Sequence, residues 1–243
     1  MNTVSSGYAS FREKQSGIYS NFVATQKTLG KEAILSGNIA PQSAFLVTFR
    51  HPEAIAEPAE AFSTAVHNTL ATPGSEVSSL VYDKSSLHTT LSDFCLEEGL
   101  IDPDDPEDRK ILDALVLAVQ QGLGEVGLRT ILQRAVSFEK PLVNANSAII
   151  PGDANDAVLG IIGAVRDASQ YTLGGESLKG SWGAHMTAAR FHGTSILPQA
   201  GAVAELAQST RAIGTSAPTS VDVGWLEVNP KGFTYNVHES FPL

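Results

Sequence analysis

Four of the six histidines in this chain are followed two residues later by a threonine: His67-Asn-Thr69, His88-Thr-Thr90, His185-Met-Thr187 and His192-Gly-Thr194. An imidazole with its ordinary pKa near 6.5 can take or give a proton around neutrality. A hydroxyl beside it can donate to a developing oxyanion. Whether the two side chains can serve one ligand depends on the backbone. On a strand, residues i and i+2 point the same way, whereas on a helix they diverge. His67 and Thr69 fall on an expected helix and read as surface residues.

His88 and His185 have the strand context. In Ser86-Leu-His-Thr-Thr-Leu-Ser92, Leu87 and Leu91 take the face opposite His88 and Thr90; in Trp182-Gly-Ala-His-Met-Thr-Ala-Ala-Arg190, Ala184, Met186 and Ala188 do the same for His185 and Thr187. Either histidine alone is well explained as a half-buried side chain bonded to a neighbouring carbonyl or hydroxyl. Together, about a hundred residues apart in matching settings, they point to one shared site. Two imidazoles suit phosphodiester cleavage, one removing a proton from the attacking oxygen and the other delivering one to the leaving oxygen. Which is base and which is acid stays open. Thr90 and Thr187 would bind the non-bridging phosphate oxygens. Arg190 is a candidate for phosphate charge, although regular strand parity turns it away from His185. Phe191 has the parity of His185 and could stack on a base, with core packing as the plainer alternative. Tyr82 and Trp182 lie near the motifs with the same two options. His192, seven residues beyond His185, should face away as a strand-end or supporting residue.

Strands and helices interleave to carry these residues. Residues 1–40 should form a helix and a loop; Ala44–Phe49 a buried strand; Glu53–Leu70 an amphipathic helix with Phe62, Val66 and Leu70 at four-residue intervals. Residues 77–94 are β-rich. Asp105 and Pro106 open a helix as N-cap and first residue. Residues 141–150 look extended, Asp156–Val165 suits either state and is taken as strand, and Gly183–Phe191 is a strand. A helix should follow with Val203, Leu206 and Ile213 inside and Gly214 as its stop. Alternation of Val221, Val223 and Trp225, then Phe233, Tyr235 and Val237, around Asn229-Pro-Lys-Gly232 marks a hairpin.

Composition narrows the substrate. The net charge of −10 over 243 residues, with no Lys/Arg cluster, argues against gripping long nucleic acid or a membrane surface. A small nucleotide or an RNA end fits better. The opening thirty residues have no basic start followed by an apolar core, and the apolar run near Ala157–Val165 is short and broken by Gly160 and Gly163. One cysteine, Cys95, cannot form an internal disulfide. A cytoplasmic monomer is the expectation. His51, His67 and His192 lack zinc-site spacing, so no metal or other cofactor is expected. Ser181 has no Gly-x-Ser-x-Gly elbow. Gly122-Leu-Gly-Glu-Val-Gly127 lies between helical stretches rather than after a strand, which is the wrong place for a dinucleotide.

The paired motifs resemble the signature of the 2H (two-histidine) phosphoesterase superfamily, which includes RNA 2′,3′-cyclic phosphodiesterases and 2′–5′ RNA ligase-like proteins. His185-Met-Thr-Ala-Ala-Arg190 is similar to that family's His-x-Thr-apolar-Ala-Arg form, and His88-Thr-Thr-Leu91 to its His-x-Thr-Leu form. The resemblance spans residues 44–243 and leaves residues 1–43 as an N-terminal extension. It implies an α+β, bilobal fold: two antiparallel-rich sheets with flanking helices, related by a pseudo-twofold, around a central cleft. It also implies a metal-independent phosphodiesterase with His88 and His185 catalytic and Thr90, Thr187, Arg190 and Phe191 binding substrate. The alternative is a non-catalytic nucleotide-binding module with the same cleft.

Overall fold

Apolar alternation and short polar turns give the chain an α+β architecture in the computed structural model, which describes residues 4–95, 100–173, 179–180 and 183–243. In chain order the elements are α1 (Val4–Thr28), β1 (Ser36–Gly37), β2 (Gln42–Arg50), α2 (Glu53–Leu70), β3 (Val77–Ser79), β4 (His88–Cys95), α3 (Pro106–Glu125), α4 (Leu128–Leu132), β5 (Val136–Phe138), β6 (Leu142–Val143), β7 (Ser147–Ile150), β8 (Gly152–Ala154), α5 (Asp156–Leu173), β9 (Lys179–Gly180), β10 (Met186–Thr194), α6 (Leu197–Ser209), β11 (Gly214–Ser216), β12 (Ser220–Asn229) and β13 (Gly232–Pro242). Among the described residues no helix is long and apolar enough to cross a membrane.

The named strands pair antiparallel throughout. They make a ten-stranded sheet with the path β13-β12-β2-β4-β10-β7-β6, to which β1, β3 and β9 add, and a three-stranded sheet β11-β5-β8. Within the large sheet the β13-β12-β2-β4 group meets the β10-β7-β6 group at a single residue pair, Met186 with Thr89. Beyond it β4 goes on to pair with β9, and β10 with β3. Helices cover the sheet in two pairs. α3 packs on α5, the two touching β12 and β4, while α2 packs on α6 and also touches β10.

Local sequence explains most of these elements. Asp105 caps α3 by accepting the Glu107 and Asp108 backbone N–H groups, with Pro106 at the first helical position. The 229–232 turn closes the β12–β13 hairpin with Asn229 opposite Gly232. Two expectations fail. Residues 156–165 are not a strand but the start of α5: Val158, Ile161, Ile162 and Val165 are all buried at helical spacing. By sequence these residues suit either state, and the partner decides, because α3 packs against them. There Gly122 lets the backbones meet, since a Cβ at that position would lie 2.7 Å from the Val165 Cα. The second miss is α6, which ends at Ser209; Ile213 lies outside it and Gly214, at φ +120°, opens β11 instead. The Gly122–Gly127 run spans the end of α3 and the N-cap of α4, as expected of a helix-to-helix connection.

The N-terminal helix belongs to the body of the molecule. Phe22 and the side chains of Gln15 and Gln26 are buried, Gln26 Oε1 accepts the Val143 N–H at 3.0 Å, and the Tyr19 hydroxyl bonds both the carbonyl and the N–H of Gly152.

Candidate functional site

The Thr89–Met186 pair joins the middle residues of the two His-x-Thr motifs. Antiparallel register around it sets His88 opposite Thr187 and Thr90 opposite His185. Thr89 and Met186 are fully buried, so their neighbours His88, Thr90, His185 and Thr187, all half-buried, share the other face. The histidines stand on a diagonal of this quartet, with Cα atoms roughly 7–8 Å apart for such pairs.

Each motif ends in a β-bulge at the same place. β4 shifts register against β2 at Leu91, and β10 shifts against β7 at Ala188. The extra residue reverses parity downstream. Arg190, half-buried, therefore returns to the face of His185 and Thr187. Its charge adds to the burial that lowers the pKa of His88 and His185, and opposes the burial that raises that of Tyr82. Phe191, assigned to the substrate by regular parity, is packed into the core at 1% exposure, although it also belongs to the lining of the cavity beside His185. His192 comes back to the Arg190 face and its Nδ1 accepts the Ile39 N–H. Ser181 and Trp182 lie outside the described residues.

Both imidazoles are held the same way. His88 Nδ1 bonds the Ser86 carbonyl at 2.7 Å, and His185 Nδ1 bonds the Gly183 carbonyl at 3.2 Å. A carbonyl only accepts, so Nδ1 carries the proton in both and Nε2 is the basic nitrogen. Burial pushes the His88 pKa down to about 4; the Ser86 bond opposes this, and the charges of Arg50 and Arg190 add to it. Burial likewise pushes His185 down to about 3, opposed by the Gly183 bond and reinforced by His88 and Arg190. Both rings are thus neutral at pH 7 in the unliganded protein, whereas unperturbed values would leave a protonated fraction.

Several participants carried no signal in the sequence. Arg50, at the end of β2, lies opposite His88. Its Nε bonds the Asp222 carboxylate at 2.8 Å, its Nη1 bonds the Ser85 carbonyl, and the guanidinium lies over the Tyr235 ring. Asp222, 1% exposed, also accepts the hydroxyls of Ser220 and Ser240. Tyr235 packs its ring 4.9 Å from that of His88 and bonds Thr48 through its hydroxyl; burial raises its pKa. Phe233 packs beyond it, tilted, on Tyr82, a core residue at 1% exposure. Beneath the first motif, buried His51 bonds Thr89 Oγ1 through Nε2 at 2.9 Å, and burial, with His88 nearby, lowers its pKa to about 3. The apolar run before Arg50 marks a strand end, but its register against His88 could not be read. His67 stays on α2, bonded to the Ser79 carbonyl and away from the quartet.

A cavity of about 410 Å³ opens beside His185, Thr187 and Arg190, walled by residues 36–40 and by Asn146 and Ser147. Among the described residues no carboxylate lines it, in a chain that carries ten more acids than bases. Among the described residues no three His, Cys, Asp or Glu side chains are grouped to hold a metal ion.

No protein-family model matches the sequence, and no curated protein matches it. The solved structures similar to this chain include two at low sequence identity. TT0787 of Thermus thermophilus is 16% identical, with 82% of this chain and 97% of that one covered and a TM-score of 0.49. ATU0111 from Agrobacterium tumefaciens, a conserved protein of unknown function, is 16% identical, with 87% and 91% covered and a TM-score of 0.41. Neither likeness bears on activity.

Proposed function

We propose that this chain is a 2H-type phosphodiesterase, bilobal with its cleft at the Thr89–Met186 junction, that opens a small nucleotide or RNA-end phosphodiester such as a 2′,3′-cyclic phosphate. The observation that carries the reading is that junction, which supports placing two imidazoles and two threonine hydroxyls around one phosphorus. Phosphate oxygens accept from Thr90 and Thr187, with Arg190 balancing their charge. One Nε2 takes a proton from the attacking water; the other imidazole, protonated, gives one to the departing ribose oxygen. No step calls on a metal.

Because both rings are neutral before binding, one must gain its proton with the substrate. An anionic phosphodiester offsets the Arg190 and Arg50 charges and favours the imidazolium. Substrate binding at pH 7 should therefore take up close to one proton per site, read by calorimetry in buffers of different ionisation enthalpy.

The deciding experiment is incubation with 2′,3′-cyclic mononucleotides, with and without EDTA, across pH. Turnover that survives EDTA with a bell-shaped profile is expected. Binding without turnover identifies a nucleotide-binding module instead. Neither binding nor turnover ends the proposal.

A further inference from the structure

We infer that Gln15, on the N-terminal helix, is a positioning residue for His185. Gln15 is buried at 7% exposure on a helix that is otherwise largely polar and solvated. A buried amide is costly without a partner. Here its Oε1 accepts the Ala184 N–H at 2.8 Å. The other end of that same peptide unit is the Gly183 carbonyl, which accepts the His185 Nδ1–H. One peptide plane thus carries a chain of two hydrogen bonds, His185 Nδ1–H to carbonyl and peptide N–H to Gln15. Bonds in series polarise one another, so the Gln15 acceptor strengthens the bond that fixes the tautomer and ring plane of His185. Gly183 itself packs on the helix: a Cβ there would lie 3.1 Å from Gln15 Oε1 and 3.4 Å from the Tyr19 hydroxyl.

The first motif builds the equivalent peptide locally. The Ser86 carbonyl accepts from His88, and the Leu87 N–H of the same unit donates to the Asp83 carbonyl at 3.1 Å in the preceding turn. The second motif draws its acceptor from 169 residues away. Through Gln15 the N-terminal helix therefore reaches the peptide that orients His185.

The inference rests on His185 being a reacting group, so its test has two independent readouts. The first is turnover of a 2′,3′-cyclic mononucleotide. The second is the tautomer of His185, read at pH 7 from imidazole nitrogen shifts in the full-length protein. Gln15→Leu should lower kcat about tenfold with KM nearly unchanged, and should mix the His185 tautomers while His88 stays as it was. Gln15→Glu, which keeps the acceptor, should restore most of kcat and the single Nδ1–H tautomer. Tyr19→Phe, which weakens the same helix at Gly152, should lower stability without moving His185. Unchanged kcat and tautomer in Gln15→Leu overturns the inference. So does a Tyr19→Phe variant that disturbs His185 equally, since helix docking in general would then be responsible. If Gln15→Leu does not fold, Gln15→Glu decides: mixed His185 tautomers there overturn it. If the wild type turns over no cyclic phosphate, the proposed function fails, and the tautomers still decide this inference.

Discussion

The two His-x-Thr motifs have the same backbone design and very different surroundings. Each has its histidine tied by Nδ1 to the carbonyl two residues back and a bulge just after its threonine. Five residues beyond the histidine, however, one copy has Arg190 and the other Asp93. The first motif receives its cation from the neighbouring strand, where Arg50 sits opposite His88, and it is walled by Tyr235 and Phe233. The second keeps its cation in its own strand, faces a cavity that no carboxylate lines among the described residues, and is braced by α1. Backbone geometry holds the four motif side chains in place, while each half supplies charge and walls in its own way.

If the halves are chemically equivalent despite this, His88→Ala and His185→Ala should each lower turnover of a cyclic mononucleotide by at least about a hundredfold. Near-normal turnover in one variant would mean that only the other half does chemistry. The two arginines should separate more clearly. Arg50→Ala leaves Asp222 buried without its cation, so a stability loss of about 3 kcal/mol in urea titration is expected. Arg190 has no ion pair among the described residues, so Arg190→Ala should leave the urea midpoint nearly unchanged and instead lower kcat/KM about tenfold or more. Equal stability losses in the two variants would erase the distinction.

Acid should act on both motifs at once. The folded pKa values of His51, His88 and His185 lie at about 3, 4 and 3, below the ordinary 6.5. As pH falls below 6.5, the unfolded chain binds protons that the folded one refuses, and stability drops steadily toward pH 4; above 6.5 this contribution is complete. Thermal melts from pH 7 to pH 4.5 should show the decline, and His51→Gln should flatten it. The smallest contrast lies in the motif centres. Thr89→Val strips the bond from buried His51 and should cost about 1–2 kcal/mol, while Met186→Leu, an apolar swap of similar volume, should cost under about 1.5 kcal/mol.

Much of this was legible in sequence because it is local. The α2 spacing, the Asp105–Pro106 start and the 229–232 hairpin each need only a few adjacent residues. The histidines could be paired because repeated motifs with matching apolar alternation survive without knowledge of the fold. What was lost depends on partners. α5 looked like strand until α3 gave its valines and isoleucines a helical surface to pack on. Arg190 and Phe191 were assigned opposite faces by a two-residue period that Ala188 interrupts, and nothing in Ala188-Ala189 announces a bulge. Arg50, Asp222 and Gln15 join the site through registers and long-range contacts that no window of sequence contains.

The extra residue at Ala188 gives β10 something like a reading frame. Upstream of it odd-numbered positions belong to the cleft, and downstream even-numbered ones do. Removing that single alanine would slide Arg190 and His192 toward the hydrophobic interior and swing Phe191 out, rewriting the site's composition without touching a functional side chain. A change in strand length here is thus a change in chemistry. Two chains of this kind that differ by one residue between threonine and arginine would present different surfaces to the same ligand.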